Sequence, residues 1–492
     1  MRFLRRLTGA AEDSISSGAA SPGSRTVDRV LQAILICVVG VVLGQQYVAP
    51  DKRVIPVLIS IVIIGLAWRL DMLTAIGVLI VLLPYPRGTV FGTTNLALIL
   101  VLTILWLVRV STRQLAVPRR SPIDMPLLGL FVIYVLSFNN VRPAALERSF
   151  QLFELFVGSM IMYFLIVNNV RTERDLRRIH NAQLLCGLSV FLVAIWELNN
   201  PGKVLIPGWI SFTHTIGSEF NTRNVRVGAT FYDYELLSEY SAITLLLAIF
   251  RWTRARTGNE RGIYTLFILL NVFILFATVT RGAFIALGAT LPVLLWHLRR
   301  RLKVVPLTIT AAAAVALLIG MNFYVAHFTR SGDLFARMGE THVVGGWMPD
   351  SRAEAWTNAW NRALVHPLVG QGPYYTELPG YELFWPHNVY LYYANVVGFL
   401  GLGFYLAILF FLFRLTRPRV DDLRHPSYAD AYLIIAQAQL VLFVVNEIKI
   451  DYLRNPVYQM VVWVMFSVWT ASYQVSRNTR PDFATVLPRS HG

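Results

Sequence analysis

Fourteen apolar stretches recur between Val30 and Tyr473, each long enough, or nearly so, to cross a hydrocarbon layer of about 30 Å. They fall near 30–48, 54–68, 72–84, 91–109, 125–139, 150–168, 177–198, 235–250, 262–279, 282–298, 304–323, 388–413, 429–448 and 456–473, the third and fifth being short. Inside lipid a backbone must satisfy its own hydrogen bonds, so each stretch is expected to be helical. The predicted fold class is therefore all-α: a polytopic transmembrane helical bundle of about 12–14 spans. Composition agrees, since 55% of the 492 residues are hydrophobic and only 15% charged.

Positive loops stay on the cytoplasmic side of a membrane, which fixes the expected orientation. With the N-terminus inside, the inner segments include 109–125, 171–178, 251–262, 299–303 and 414–428, each carrying four Lys or Arg. Both termini then read as cytoplasmic. The net charge of +16 becomes a topology signal, which excludes nucleic acid as the expected partner. Residues 1–29 are basic and then Ser/Gly/Ala-rich, as in a disordered cytoplasmic tail, and 474–492 form a second tail. No small-residue cleavage motif follows the first span, so no signal-peptide removal is expected. Cys37 and Cys186 both lie in apolar spans, and neither disulfide nor metal-site spacing is present.

Two outer segments are too long to be simple turns: 199–234, within the spans of 30–323, and the loop 324–387, which precedes the spans of 388–473. In the latter, Ser351 and Glu354 have capping-box spacing, and Ala355, Trp356, Ala359, Trp360 and Ala363 continue at helical spacing up to His366-Pro367. This short amphipathic helix either lies at the membrane interface or packs on protein as a lid. Gly370-Gln371-Gly372, between Pro367 and Pro373, predicts a tight turn that brings Gln371 close to a ligand or only reverses the chain. Trp385-Pro386-His387-Asn388 then sits at the mouth of an apolar span, which holds Gly398, Gly401 and Gly403 for close helix packing. An imidazole there has an ordinary pKa of about 6.5, suited to proton transfer.

Arg281 lies between two apolar runs with almost no loop, near the outer membrane boundary, where a charge needs a partner or a function. Arg223 and Arg226 precede Val227-Gly228-Ala229-Thr230-Phe231 in the other outer segment, and Asp233 and Glu235 lead into the next span. Topology places Arg226, Arg281, Arg352 and His387 on one face. Guanidinium forks bind phosphate oxygens in pairs, so convergence there implies an anionic substrate such as a lipid-borne pyrophosphate; the alternatives are that Arg226 and Arg352 are solvated loop charges and that Arg281 snorkels to headgroups or pairs with a carboxylate.

The run from Ser351 to Gly403 resembles the signature of the O-antigen ligase and polymerase superfamily, with Arg-(x)3-Trp, His-Pro-Leu-Val-Gly-Gln-Gly, Pro-His-Asn-Val-Tyr-Leu and Gly-Phe-Leu-Gly. Thr280-Arg281-Gly282-Ala283 resembles that family's Ser-Arg-Gly-Ala helix start, and Arg226 to Phe231 its Arg-x-x-Gly-Thr-Phe segment. The resemblance implies a metal-independent, inverting glycosyltransferase in the bacterial inner membrane, with its active site facing the periplasm and no cofactor. It implies an undecaprenyl-diphosphate-linked glycan as donor and an acceptor glycan or lipid A core, among membrane lipids and envelope polysaccharide assembly proteins. By position, Arg226, Arg281 and Arg352 would bind the diphosphate and His387 would activate the acceptor hydroxyl. Arg223, Glu235, Gln371 and Asn388 are secondary candidates. Tyr232-Asp233-Tyr234-Glu235 stands where the family often has Pro-Asn; the acid pair binds sugar hydroxyls, binds a metal, or solvates the helix end. Fourteen spans exceed the dozen of typical ligases, which favours a polymerase. A lipid-linked oligosaccharide flippase or exporter and a protein oligosaccharyltransferase are the alternatives.

Overall fold

A computed structural model describes residues 69–86, 88–89, 92–200, 226–299, 304–329, 333–339, 343–344, 348–373, 386–417 and 427–478. The chain divides into two units, Met1–Asp71 and Met72–Gly492. The expected spans at 30–48 and 54–68, and both terminal tails apart from 474–478, lie outside the described residues.

The second unit is helical. In chain order its first eight helices are α1 (Met72–Leu82), α2 (Thr94–Ser111), α3 (Asp124–Ser137), α4 (Leu146–Asn169), α5 (Glu173–Asn199), α6 (Tyr234–Thr253), α7 (Gly258–Ala277) and α8 (Arg281–Leu298). Then follow α9 (Val304–Phe328), α10 (Leu334–Gly339), α11 (Asp350–Ala363), α12 (Val389–Val396), α13 (Gly398–Thr416), α14 (Tyr428–Asn446) and α15 (Pro456–Asn478). Among the described residues, extended pairing is confined to two antiparallel hairpins of two residues a side, Gly88–Thr89 with Gly92–Thr93 and Val343–Val344 with Met348–Pro349.

Seven described helices, α2, α4, α5, α7, α9, α13 and α14, are long and apolar enough to cross a membrane, and α1, α3 and α8 are shorter apolar helices. The chain is a multi-pass membrane protein. Every apolar stretch expected from 72 onward coincides with helix. Two of them, α6 and α15, are long but more polar than the set of seven, and both are enclosed by protein. Almost every residue of α15 is buried, including Trp463 and Trp469, and α6 is buried around its whole circumference at Ser238, Glu239, Tyr240 and Ser241. A helix surrounded by neighbours can carry polar groups if each finds a partner. Gln439 of α14 accepts from Tyr432 Oη and Trp469 Nε1, both at 3.0 Å, and donates to the Ile243 carbonyl at 2.9 Å.

The stretch 388–413, expected as one span, is broken into α12 and α13 at Val397-Gly398. Gly398 has φ +68°, and an added Cβ would lie 2.3 Å from the Leu368 carbonyl oxygen. A break orphans carbonyls on one side and N–H groups on the other. The turn after α11 supplies partners for both. Gln371 and Gly372 donate their N–H groups to the Asn395 and Val396 carbonyls at 2.8 and 3.0 Å, while Phe399 and Leu400 donate to the Pro367 and Leu368 carbonyls at 2.7 and 3.3 Å. Gly370 (φ +73°) faces the break from the other side, its absent Cβ 2.3 Å from the Val396 oxygen. Asn140 Nδ2 holds the Gly370 carbonyl at 2.7 Å.

Helix α11 rests on α12, where Asn395 Nδ2 donates to the Ala359 carbonyl at 2.9 Å. Trp356, Ala359 and Ala363 are buried on this side, whereas Trp360 is 49% exposed and meets Phe399 edge to face at 5.7 Å. One tryptophan thus packs on protein and the other remains free for an interface. The Ser351 side chain of the expected capping box lies outside the described residues.

Gly398→Ala is expected to lower stability by at least about 1–2 kcal/mol from the left-handed backbone alone. The clash with Leu368 adds to this, and a lower thermal unfolding midpoint in detergent checks it.

Candidate functional site

Three segments, the second being the α7–α8 connection, carry most of the residues singled out above, and α11 carries Arg352. The first is 226–235. Val227 and Phe231 are fully buried and anchor it. Gly228 leaves no room for a side chain, since a Cβ would lie 2.5 Å from the Asp233 nitrogen. Asp233 then caps α6, its Oδ1 accepting from the Glu235 and Leu236 N–H groups at 2.8 and 3.1 Å. The cap holds Glu235 in the first turn.

Arg226 turns its guanidinium to the connection between α7 and α8. Nε donates to the Thr278 carbonyl at 3.1 Å, and Nη2 to the Val279 carbonyl and Thr280 Oγ1, both at 3.2 Å. The guanidinium carbon lies 3.2 Å from the centroid of the Tyr234 ring. These bonds support a backbone that bends sharply at Val279, φ +49°, and starts α8 at Arg281. Arg226 therefore ties two of the three segments together and sets Arg281 at the head of its helix.

The third segment, 386–389, is stitched to the turn that follows α14. Asn388 caps α12 through Oδ1, accepting from the Leu391 N–H at 3.0 Å, and its Nδ2 donates to the Ile448 carbonyl at 3.1 Å. Val389 donates to the Glu447 carbonyl at 3.1 Å. His387 is held beside that cap at φ +47°. Four of the five non-glycine residues with positive φ among the described residues, Ala229, Tyr232, Val279 and His387, fall in these three segments. Each costs about 1–2 kcal/mol, which the capping and cross-segment bonds offset.

The side chains meet at Glu235. Arg352 of α11 donates from Nη2 to Glu235 Oε1 at 2.6 Å, and His387 Nδ1 lies 3.9 Å from Oε2. Glu235 and Arg352 are only 14% and 17% exposed, so the pair is poorly screened by water; His387 at 39% remains reachable. Arg352 Nη1 is a buried nitrogen with no hydrogen-bond partner among the described residues. Of the three alternatives for the acid pair, Asp233 serves the helix end, while Glu235 bonds Arg352 and faces His387 at 3.9 Å.

Lys449, which sequence reasoning missed, joins this group from the turn after α14. Burial, together with the Arg352 and Arg281 guanidiniums, holds its ammonium below the usual lysine range, with Glu235 pulling the other way. It directly follows the apolar run 429–448, as Arg281 follows 262–279, and that shared position was the available signal. Gln371 is spent locally, its Nε2 donating to the Arg362 carbonyl at 3.0 Å. Arg223 and Trp385 lie outside the described residues.

The assembled group is a largely buried carboxylate flanked by permanent cations, a titratable cation and an accessible imidazole. Such a set can hold a multivalent anion and move one proton. Arg226→Ala is expected to cost about 2–3 kcal/mol by leaving the carbonyls at Thr278 and Val279 short of a donor. Thermal unfolding checks this, and Arg226→Lys should restore only part because it lacks the fork.

No curated protein matches the chain. Residues 266–406 match a family model described as O-antigen ligase, a stretch that contains Arg281, Arg352 and His387 but neither Arg226, Glu235 nor Lys449. The match over this stretch supports the O-antigen ligase/polymerase superfamily, a family of glycosyltransferase-type enzymes with lipid-linked glycan donors and glycan acceptors.

Proposed function

We propose that the chain is a metal-independent, inverting glycosyltransferase of the inner membrane, transferring glycan from undecaprenyl diphosphate to an acceptor sugar hydroxyl at the periplasmic face. The observation that carries the reading is the meeting of Arg352 and His387 on the Glu235 carboxylate.

In this account Arg281 and Arg352 hold the diphosphate, and Arg226, from the segment before α6, adds charge where its guanidinium reaches the turn before α8. His387 takes the proton of the acceptor hydroxyl as that oxygen attacks the anomeric carbon. The new bond joins the acceptor oxygen to that carbon, and the bond to the phosphate oxygen breaks with its electron pair leaving on the diphosphate. Attack opposite the leaving group inverts the anomeric centre. Glu235 faces Nδ1, which leaves Nε2 to receive the proton and stabilises the imidazolium that forms. The arginines meet the charge on the departing diphosphate, the task a divalent cation performs elsewhere. Transfer to a growing polysaccharide is preferred to transfer onto lipid A core, because fourteen apolar stretches exceed the span number of typical ligases.

Purified protein in nanodiscs, supplied with undecaprenyl-diphosphate glycan, acceptors and EDTA, is expected to release diphosphate. His387→Ala should slow release by about 10²–10⁴ while still binding donor. Arg281→Ala and Arg352→Ala should weaken donor binding by about tenfold or more. A product ladder identifies a polymerase, and a single addition to lipid A core a ligase. Movement of the glycan across liposomes without diphosphate release would overturn the reading in favour of an exporter.

A further inference from the structure

Lys449 lies outside both the matched family stretch and the residues that sequence reasoning singled out. Its surroundings are nevertheless built. Lys449 donates its own N–H to the Asn446 carbonyl at 2.8 Å, and Asn446 Nδ2 is bonded in turn to the buried Glu239 carboxylate at 2.5 Å. On either side the link is bonded to the His387 segment, through the Glu447 carbonyl to Val389 and the Ile448 carbonyl to Asn388. The lysine side chain runs along the first turn of α8, where a Cβ added to Gly282 would lie 3.5 Å from its Cδ and 3.8 Å from its Nζ. An ammonium fixed against a helix start that already carries Arg281 is an unfavourable arrangement unless an anion joins it.

The charge balance has the same sense. The charged groups acting on Lys449 are Arg352 from α11, Arg281 from α8 and Glu235 from α6. Lys449, Arg352 and Arg281 bring three cations to the Glu235 carboxylate, and among the described residues Arg352 Nη1 is buried without a hydrogen-bond partner. Glu447 and Asp451 flank Lys449 in its own link, both fully buried.

We propose that Lys449 is a further donor-binding residue whose ammonium completes, with Arg281 and Arg352, a three-cation cradle for the two phosphates at the start of α8. This assignment rests on the diphosphate reading of the site. Lys449 differs from its two neighbours in one respect: arginine keeps its charge at every working pH, whereas a lysine held below its usual range can lose it. An arriving diphosphate favours the charged ammonium and raises its pKa. Binding on the alkaline side is therefore coupled to proton uptake at Lys449, and affinity falls as pH rises through the lysine's titration in the free protein.

The test is calorimetric binding of undecaprenyl diphosphate to the full chain in nanodiscs from pH 7.5 to 10, in buffers of different ionisation enthalpy. Wild type is expected to take up protons on binding and to weaken as pH rises. Lys449→Arg, which keeps a cation but cannot titrate, should bind with little uptake and a flat alkaline limb. Lys449→Gln should bind about tenfold more weakly at pH 7.5, also with a flat limb. If Lys449→Gln binds as tightly as wild type, or Lys449→Arg keeps the uptake, the assignment is wrong while the diphosphate site stands. If folded wild type does not bind undecaprenyl diphosphate at all, the diphosphate reading fails and takes this assignment with it. Lys449→Arg decides the matter should Lys449→Gln not fold.

Discussion

A carboxylate with little access to water must be paired, and in this protein the Glu235 carboxylate finds its partners on two segments that are far away in sequence. Arg352 approaches from the helix Asp350–Ala363 at 2.6 Å, and His387 from the mouth of the helix Val389–Val396 at 3.9 Å. Removing either Glu235 or Arg352 leaves its partner poorly screened with unbalanced charge, so the contact orders these segments relative to the bundle. It also selects which nitrogen of His387 is turned to the carboxylate. The same interaction thus links tertiary structure and chemistry.

Around it, the backbone holds conformations that side-chain-bearing residues adopt at a cost. Ala229, Tyr232, Val279 and His387 are all left-handed. The bonds that hold them are polar, partly local and partly between segments: the Asp233 cap, the Arg226 fork on the Thr278 and Val279 carbonyls, and Asn388 reaching both Leu391 and Ile448. Broken helices near a membrane surface are tolerated only when the freed groups are bonded again. At Val397-Gly398 the turn around Gly370 does this, and in doing so fixes α11, which carries Arg352.

Much of the fold was legible because hydrophobic length and helical period are read locally: every apolar stretch from 72 on is helical, and a helix fills 350–363 where Trp356, Ala359 and Trp360 recur at the right spacing. Positive-inside topology likewise set His387 and Arg352 on one face before any contact was known. The break within 388–413 was not legible, since Gly398 reads equally well as a helix-packing glycine until the turn at Leu368 is seen pressed against it. Nor was the partner of Glu235, because an acid in a first helical turn is satisfied by the helix end alone. Arg226 carries a guanidinium suited to phosphate, yet in the structure its fork grips backbone carbonyls, a distinction that spacing cannot make. In sequence Lys449 is one charge at the end of an apolar run, and only the nearby Arg281 and Arg352 make it unusual.

The most direct test is a double-mutant cycle on Glu235→Gln and Arg352→Gln, with kcat/KM for diphosphate release as the readout and donor held well below saturation. If the two side chains act as one unit, each single variant should fall by about tenfold or more. The double variant should then be no worse than the weaker single, giving a coupling above about 1 kcal/mol. Independent effects, with the double variant showing the product of the two losses, would contradict the account and leave Glu235 as a helix-end charge that merely stands near Arg352.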